Sequence, residues 1–215
     1  MDTTPQDPRH LNDMFDDSSI DAYKLNYANA LKVALDGVSS AEIDKLCQTI
    51  IRVADAGGQI LVAGNGGSAA IAEHLCCDWT KGTSCEGHNV INTRSMTSNV
   101  ALYTAIANDY GFENVFGTQL DFFGREGDLL IAISSSGNSP NILNAVTAAK
   151  ERGMFVAGFS GFSGGKLKDM VDASIYVGID NYGIVEDAHQ AVMHVIAQYI
   201  AGRRDKANAE GKGAQ

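Results

Sequence analysis

Basic residues are scarce in this chain of 215 residues, and the scarcity limits what the protein can bind. Sixteen Lys and Arg stand against 26 Asp and Glu, so the formal net charge is -10 at pH 7. A surface with this excess of negative charge repels nucleic-acid phosphates, which argues against a nucleic-acid partner. A small anionic substrate is still compatible with the sequence, because backbone N–H groups at one site can outweigh the overall charge.

Cysteines and long apolar segments are also few. Cys47, Cys76, Cys77 and Cys85 have the spacing of neither a zinc finger nor a disulfide framework. We interpret them as buried free thiols of a reducing compartment. The N-terminal segment lacks the apolar core of a signal peptide, and no apolar run is as long as a membrane span. These absences predict a soluble, cytoplasmic protein without a membrane partner.

The length fits a single folded domain. We predict a disordered lead-in over residues 1–17, one domain over residues 18–202 and a flexible tail over residues 203–215. Apolar residues recur at helical spacing from Ile20 to Leu35, and Ser39 and Glu42 form the pattern of a capping box, so the domain should open with two helices.

Short apolar strands alternate with helices through the rest of the domain. This alternation predicts an α/β fold in which a parallel sheet is covered by helices on both faces. The predicted strands lie near Gln59–Ala63, Asn89–Asn92, Asp128–Ile133, Phe155–Phe159 and Ser174–Val177. The predicted helices lie near Ala69–Trp79, Ser98–Asn108, Asn114–Phe123, Pro140–Arg152 and Val185–Gly202.

A serine-rich loop runs from Ser134 to Ser139 between a predicted strand and a predicted helix. It offers four hydroxyl groups, a glycine and a helix N-terminus, which together suit a phosphate monoester. The same residues also fit an ordinary turn in which Ser139 is the N-cap and Pro140 the first helical residue. The sequence pattern is compatible with both interpretations.

A glycine-rich loop, Gly64–Ala69, follows the first predicted strand. It matches the loose form of the dinucleotide fingerprint, but that fingerprint requires an acidic residue at the end of the next strand. Here the next strand ends in Asn92, Thr93 and Arg94, so a nicotinamide site is not expected. A tight turn that brings backbone close to a sugar phosphate is the better interpretation.

Two histidines and two carboxylates lie on predicted helices. His74 and Asp78 are four residues apart and share a helical face, and Glu186 and His194 lie on the last helix. Such a set suits general acid–base catalysis or a zinc site, although each residue alone is more often solvated or part of a core. Eight helical residues separate Glu186 from His194 by about 12 Å, so they could share a metal only by reaching inward from both ends.

Six motifs in register resemble those of the SIS-domain phosphoheptose isomerases, from about Ile20 to Ala201. They are Gly64–Ser68, His74, Asn108–Phe112, Gly124–Asp128, Ile133–Ser139 and Gly164–Lys166. The resemblance implies a flavodoxin-like three-layer α/β sandwich with a leading helical pair. It also implies a homotetramer with active sites between subunits, which interconverts sedoheptulose 7-phosphate and D-glycero-D-manno-heptose 7-phosphate through an enediol.

The resemblance also implies a role for each site residue. Asp78 would be the catalytic base and His194 its acid partner. The candidate zinc ligands are His74, Asp78, Glu186 and His194. The phosphate would be held by Ser134, Ser135, Ser136 and Ser139, and the sugar would be lined by Asn65, Gly66, Gly67 and Ser68.

Four positions depart from the family pattern. Asp78 stands where Glu is usual, Glu186 where Gln is usual, and Asn99 where the family commonly has an Asp that contacts the sugar. Gly183 also replaces an Asp. The resemblance implies that Asn99 and Glu186 contact the substrate. The four departures concern the sugar more than the type of reaction, so an isomerase of another sugar phosphate is the alternative function.

Two other functions are compatible with the same motifs. The first is a non-catalytic SIS protein that senses sugar phosphates or serves as a scaffold. The histidine and carboxylate set and the lack of a DNA-binding segment argue against it. The second is a mutase or epimerase, which ranks last because the sequence has no second phosphate-binding loop and no obvious phosphorylated nucleophile.

Overall fold

The computed structural model describes residues 15–213, which form a parallel sheet enclosed by helices. Two helices precede the sheet, as the sequence predicts. The strands are β1 (Ile60–Gly64), β2 (Thr93–Ser95), β3 (Leu129–Ser134), β4 (Phe155–Gly161) and β5 (Ala173–Val177). The α-helices are α1 (Ile20–Asp36), α2 (Ser40–Asp55), α3 (Gly67–Cys77), α4 (Val100–Tyr110), α5 (Gly117–Phe123), α6 (Pro140–Glu151), α7 (Leu167–Met170) and α8 (Tyr182–Gly213).

The strand order is β2-β1-β3-β4-β5, and each neighbouring pair is parallel. This is the doubly wound flavodoxin-like order, in which the chain reverses its winding direction between β1 and β3. The loops that follow β1 and β3 therefore leave a crevice at the carboxyl edge of the sheet. Both loops singled out in the sequence, the glycine-rich and the serine-rich one, lie at this crevice.

Alternation along the strands divides the core into two layers. Ile60 and Val62 of β1 point to the layer formed with α1, α2, α3 and α8. Leu61 and Ala63 of the same strand point to the layer formed with α4, α5, α6 and α7. Every residue of β1 and β3 is buried, which explains why these strands read as continuous apolar runs rather than as alternating patterns.

The capping box predicted for α2 forms only in part. The hydroxyl of Ser39 accepts a hydrogen bond from the backbone N–H of Glu42 at 3.4 Å. The carboxylate of Glu42 turns away from the cap and accepts from the N–H of Ser174 at 2.9 Å. It thereby joins the leading helical pair to β5.

Two local predictions are wrong. The strand predicted near Asn89–Asn92 lies instead at Thr93–Ser95, the residues in register with Ile60–Val62 of β1. Residues 203–213 of the predicted flexible tail are helical, because α8 continues to Gly213. Arg204 is buried within that extension and donates to the carbonyl groups of Thr83 and Asn89, each at 2.9 Å.

Most of the predicted lead-in, residues 1–14, lies outside the described residues. Phe15, by contrast, is buried and packs edge-on against the ring of Tyr23, with centroids 5.2 Å apart. Among residues 15–213, no helix combines the length and the apolar character that crossing a bilayer requires.

Candidate active site

The serine-rich loop forms a compact turn at the end of β3. The N–H of Gly137 donates to the carbonyl of Ser134 at 2.9 Å, and the hydroxyl groups of Ser134 and Ser139 lie 3.1 Å apart. Ser139 precedes Pro140, the first residue of α6, but its side chain makes no capping hydrogen bond. The N-terminus of α6 therefore has no side-chain cap, and its positive dipole end favours an anion.

The loop that contains Gly164–Lys166 holds the serine-rich loop in place through backbone contacts. The N–H of Leu167 donates to the carbonyl of Gly137 at 3.0 Å, and the N–H of Lys166 donates to Oδ1 of Asn138 at 3.1 Å. Gly137 has φ +66°, and a Cβ built on it would lie 1.9 Å from the carbonyl oxygen of Gly164. Only glycine fits this contact, so the Gly164–Lys166 motif supports the serine loop.

The glycine-rich loop lies beside the serine loop and is tied to it. The side-chain amides of Asn65 and Asn141 form two reciprocal hydrogen bonds, each 2.9 Å long. Helix α3 begins after Gly66 without a side-chain cap, so a second helix N-terminus points into the same crevice. Sequence reasoning missed Asn141, which carries no motif of its own.

The two loops enclose a cavity of about 180 Å³. Seven of the predicted substrate-binding residues line it, together with two residues that were not predicted, Ile133 and Tyr182. The predicted residues are Asn65, Ser68, Ser134, Ser135, Ser136, Ser139 and Glu186. The hydroxyl of Ser135 is buried and has no hydrogen-bond partner among the described residues.

Glu186 brings a carboxylate into this cavity. A Cβ on Gly67 would lie 2.4 Å from Oε2 of Glu186, so the carboxylate packs directly against the start of α3. Partial burial, and secondarily the nearby charge of Asp187, raises the pKa of Glu186. The cavity therefore combines hydroxyl and N–H donors with one acidic group.

The other predicted sugar-binding residues have different surroundings. Gly66 and Gly67 form the turn into α3. Asn99 caps α4, since its Oδ1 accepts from the N–H of Leu102 at 3.1 Å. It lines a separate cavity of about 370 Å³ beside β2, so the single chain does not bring Asn99 into the serine-lined cavity.

A second cluster contains His74, Asp78 and His194. Oδ2 of Asp78 lies 3.4 Å from Nε2 of His74 and 3.2 Å from Nε2 of His194. The two imidazole rings meet edge-on with centroids 5.0 Å apart. Three of the four predicted metal-binding residues are thus brought together, whereas Glu186 is not part of this cluster.

The backbone at Asp78 places this cluster against α8. Helix α3 widens there into a π-helical turn, Asp78–Gly82, and π-turns within helices are frequent at functional sites. The indole N–H of the buried Trp79 donates to the carbonyl of Met193 at 3.2 Å. Since Trp79 follows Asp78 and Met193 precedes His194, this bond fixes the two side chains relative to each other.

The cluster fits a divalent metal ion. Imidazole nitrogen and carboxylate oxygen are ordinary zinc ligands, and ligand atoms about 2.0–2.1 Å from a tetrahedral zinc lie roughly 3.3 Å from one another. The distances of 3.2 and 3.4 Å at Asp78 match that spacing. The ligand atoms of all three residues lie within 4.8 Å of one another.

Gln190 completes the surroundings of the cluster and was not foreseen. Its Nε2 lies 2.9 Å from Nδ1 of His74 and 3.3 Å from Nε2 of His194. The spacing of four residues between Gln190 and His194 was a signal in the sequence, because it places both on one helical face, as with His74 and Asp78.

His189, a further histidine of α8, has a structural environment. It is fully buried, and its Nε2 lies 3.2 Å from the carbonyl oxygen of Ser160 at the end of β4. Burial lowers its pKa to about 4, only partly opposed by that hydrogen bond. The ring is therefore neutral and joins α8 to the sheet beside the serine loop.

Comparisons with known proteins agree with this architecture. The SIS domain family matches residues 25–161. The chain is 37% identical to the phosphoheptose isomerase of Roseiflexus sp. over 155 residues, which is 72% of this chain and 78% of that protein. It is 40% identical to that of Rhodospirillum rubrum over 145 residues, or 67% and 77% of the two chains.

Solved structures give the same result in three dimensions. The phosphoheptose isomerase of Neisseria gonorrhoeae superimposes with a TM-score of 0.78 at 31% identity, covering 85% of this chain and 97% of that one. Residues 25–161, the region that the SIS domain family matches, contain both loops and helix α3 with His74. The chain therefore belongs to the SIS domain family and, within it, to the phosphoheptose isomerases.

Proposed function

We propose that the protein is an aldose–ketose isomerase that interconverts sedoheptulose 7-phosphate and D-glycero-D-manno-heptose 7-phosphate. The observation that carries this proposal is the arrangement along α8. Glu186 faces the serine-lined cavity, and His194 joins the His74 and Asp78 cluster. Eight residues at 1.5 Å each separate them by about 12 Å, so one extended sugar phosphate can contact both regions.

The serine-lined cavity suits the phosphate end of this substrate. Ser134, Ser136 and Ser139 offer hydroxyl groups at its wall, and the helices α3 and α6 both begin there without a side-chain cap. Free N–H groups at helix N-termini bind phosphate well even in an acidic protein. Ser135 would contribute its backbone N–H, or its hydroxyl after rotation of the side chain.

The cluster of His74, Asp78 and His194 suits the carbonyl end of the sugar phosphate. Oδ2 of Asp78 faces both histidines, which leaves Oδ1 to remove a proton from C1 of the ketose. His194 gives a proton to the oxygen at C2, and a neutral enediol results. Asp78 returns a proton to C2 while O1 gives its proton to His194, so that C1 becomes the aldehyde carbon.

We further propose that His74, Asp78 and His194 hold a zinc ion. The distances within the cluster support this assignment. Zinc bound there would polarise the substrate carbonyl as a Lewis acid, in place of the proton that His194 supplies when its Nε2 holds no metal. Glu186 keeps its place in the serine-lined cavity, where it would accept hydrogen bonds from sugar hydroxyl groups.

A homotetramer with active sites between subunits remains part of the proposal. Large apolar side chains of α1 are exposed in the single chain, among them Ile20 at 79% and Val33 at 68%. Association of copies through this helix would cover them. Light scattering during size exclusion tests the assembly, with a mass four times that of the chain as the expected result.

The function is tested by incubating the protein with sedoheptulose 7-phosphate in deuterated water, with and without added zinc. Formation of the aldose with deuterium at C2 supports the enediol isomerase and the substrate together. If the protein binds phosphate esters but converts none, it is a sensing or scaffold protein or acts on another sugar. Faster conversion with zinc than with EDTA supports the metal assignment.

A further inference from the structure

Gln190 lies between the two histidine rings of the candidate metal cluster. Its Nε2 is 2.9 Å from Nδ1 of His74 and 3.3 Å from Nε2 of His194. Two pairs of residues therefore face each other, His74 with Asp78 on α3 and its π-turn, and Gln190 with His194 on α8. In each pair the residues are four apart and share a helical face.

The two nitrogens of His74 have different neighbours. Nε2 faces Oδ2 of Asp78 at 3.4 Å, and Nδ1 faces the amide of Gln190. A neutral imidazole carries one proton, so a cation bound at Nε2 requires the proton to be on Nδ1. That N–H then needs an acceptor, because metal-binding histidines nearly always donate their second ring N–H to a neighbouring group.

An amide can serve both states of this ring. Without a cation, the amide N–H₂ of Gln190 donates to the bare Nδ1 of His74. With a cation on Nε2, rotation of the amide by half a turn presents its oxygen to the same nitrogen, which is now an N–H. The side chain needs no displacement for this change, since the oxygen and nitrogen of an amide occupy nearly equivalent positions.

We propose that Gln190 is a positioning residue of the metal site, which holds His74 in the tautomer that presents Nε2 to the cation. The proposal rests on the metal assignment made above and concerns a residue outside the three ligands. Gln190 is half-buried and lies four residues before His194, close to the bond between Trp79 and Met193 that fixes α8 against α3. The amide of Gln190 is therefore held within hydrogen-bonding distance of Nδ1 of His74.

The experiment compares metal affinity among the wild-type protein, Gln190→Leu and Gln190→Glu. Zinc affinity is measured by competition with a chelator, and the ligand field by visible absorption of the cobalt-substituted protein. Leucine removes the acceptor, so we expect zinc to bind about 10-fold to 100-fold more weakly, as for other residues of this kind. Glutamate restores an acceptor for the His74 N–H, so we expect affinity close to or tighter than that of the wild type.

A matched control and a folding test complete the design. Gln48 is an exposed glutamine of α2 that bonds to Asp44, and Gln48→Leu should leave metal affinity unchanged. Thermal unfolding in EDTA should give equal midpoints for the wild type and both Gln190 variants, so that a loss of affinity is not a loss of fold. If Gln190→Leu unfolds early, Gln190→Met replaces it as the variant without an acceptor.

The outcomes separate this inference from the proposed function. If the wild type binds zinc and Gln190→Leu binds it equally well with the same cobalt spectrum, Gln190 has no positioning role, although the metal assignment stands. If Gln190→Glu is as weak as Gln190→Leu, the acceptor argument is wrong. If the wild type binds neither metal, the metal assignment and the inference fail together.

Discussion

The amides of Asn65 and Asn141 hydrogen-bond each other reciprocally, with both distances at 2.9 Å. Asn65 belongs to the loop after β1, and Asn141 to the first turn of α6, where it is buried. The pair holds together the two loops that enclose the serine-lined cavity. The two hydrogen bonds span the crevice between β1 and β3, where the chain reverses its winding direction.

Asn141→Ala should destabilise the protein by about 1–3 kcal/mol, because the amide of Asn65 then lacks its partner. The free energy of unfolding in urea measures the effect. The double variant Asn65→Ala/Asn141→Ala should lose less than the sum of the two single variants. Strict additivity of the two losses would show that the amides do not stabilise each other.

Asp78→Asn should reduce isomerase activity by a factor of about 10²–10⁴, the usual contribution of a general base. The fold should be retained, because Trp79 and Met193 still fix the helices. Asp78→Glu keeps a carboxylate and serves as the control, with activity well above that of the asparagine variant. Full activity in Asp78→Asn would remove this residue from the proposed mechanism.

Glu186→Gln should strengthen phosphate binding, because one negative charge leaves the wall of the serine-lined cavity. We expect the inhibition constant for inorganic phosphate to fall by about threefold to tenfold, equivalent to about 0.7–1.4 kcal/mol. Glu151→Gln, at the far end of α6, makes the same change of charge away from the cavity. An equal effect in both variants would indicate that overall charge alone is responsible.

Gly137→Ala should destabilise the protein by about 2 kcal/mol or more and weaken phosphate binding. The new Cβ would collide with the carbonyl oxygen of Gly164 at a positive φ of 66°. Gly127→Ala isolates the effect of the backbone angle, because Gly127 also has a positive φ, of 84°, but its Cβ would meet no atom within 4 Å. Similar losses in thermal unfolding for both variants would argue against the collision.

His189 should make stability depend on pH. Its folded pKa is about 4 and its ordinary value 6.5, so the unfolded chain takes up the proton first as the pH falls. The stabilisation is complete above about pH 6.5 and is lost between there and about pH 4, by up to roughly 3 kcal/mol.

The measurement compares the free energy of unfolding at pH 7 and pH 5 in EDTA, for the wild type and His189→Gln. We expect the wild type to lose about 2 kcal/mol more than the variant over this interval. The glutamine can still donate to Ser160, which limits structural damage. Identical pH dependence in both proteins would mean that His189 is not buried as a neutral ring.

The sequence predicted the sheet and both site loops because these depend on local patterns. The strands are apolar and short, and the loops are rich in Gly and Ser. The helices begin at recognisable residues, such as the N-cap Ser39 of α2 and the first helical residue Pro140 of α6. The N-cap of α1, Ser19, likewise accepts from the N–H of Ala22 at 3.1 Å. Elements that depend on residues close together in the sequence could therefore be predicted from the sequence alone.

The errors arise where the local structure depends on contacts between residues that are far apart in the sequence. The segment after Gly202 is polar, which predicts a flexible tail. In the structure, however, Arg204 donates to two carbonyl groups of residues more than 100 positions earlier in the chain. The role of Asn141 depends on Asn65, and that of Gln190 on His74, which lies 116 residues earlier in the chain. Periodicity and local motifs contain no information on such pairs.

Helix α8 contributes to the serine-lined cavity through Glu186, to the histidine cluster through His194 and to the anchoring of a distant loop through Arg204. Inserting or deleting one residue would turn everything beyond it by about 100° around the helix axis. Substitutions on the outer face of α8 are therefore tolerable, whereas a change of length between Glu186 and Arg204 is not. We expect related proteins to vary here in composition and to keep the number of residues constant.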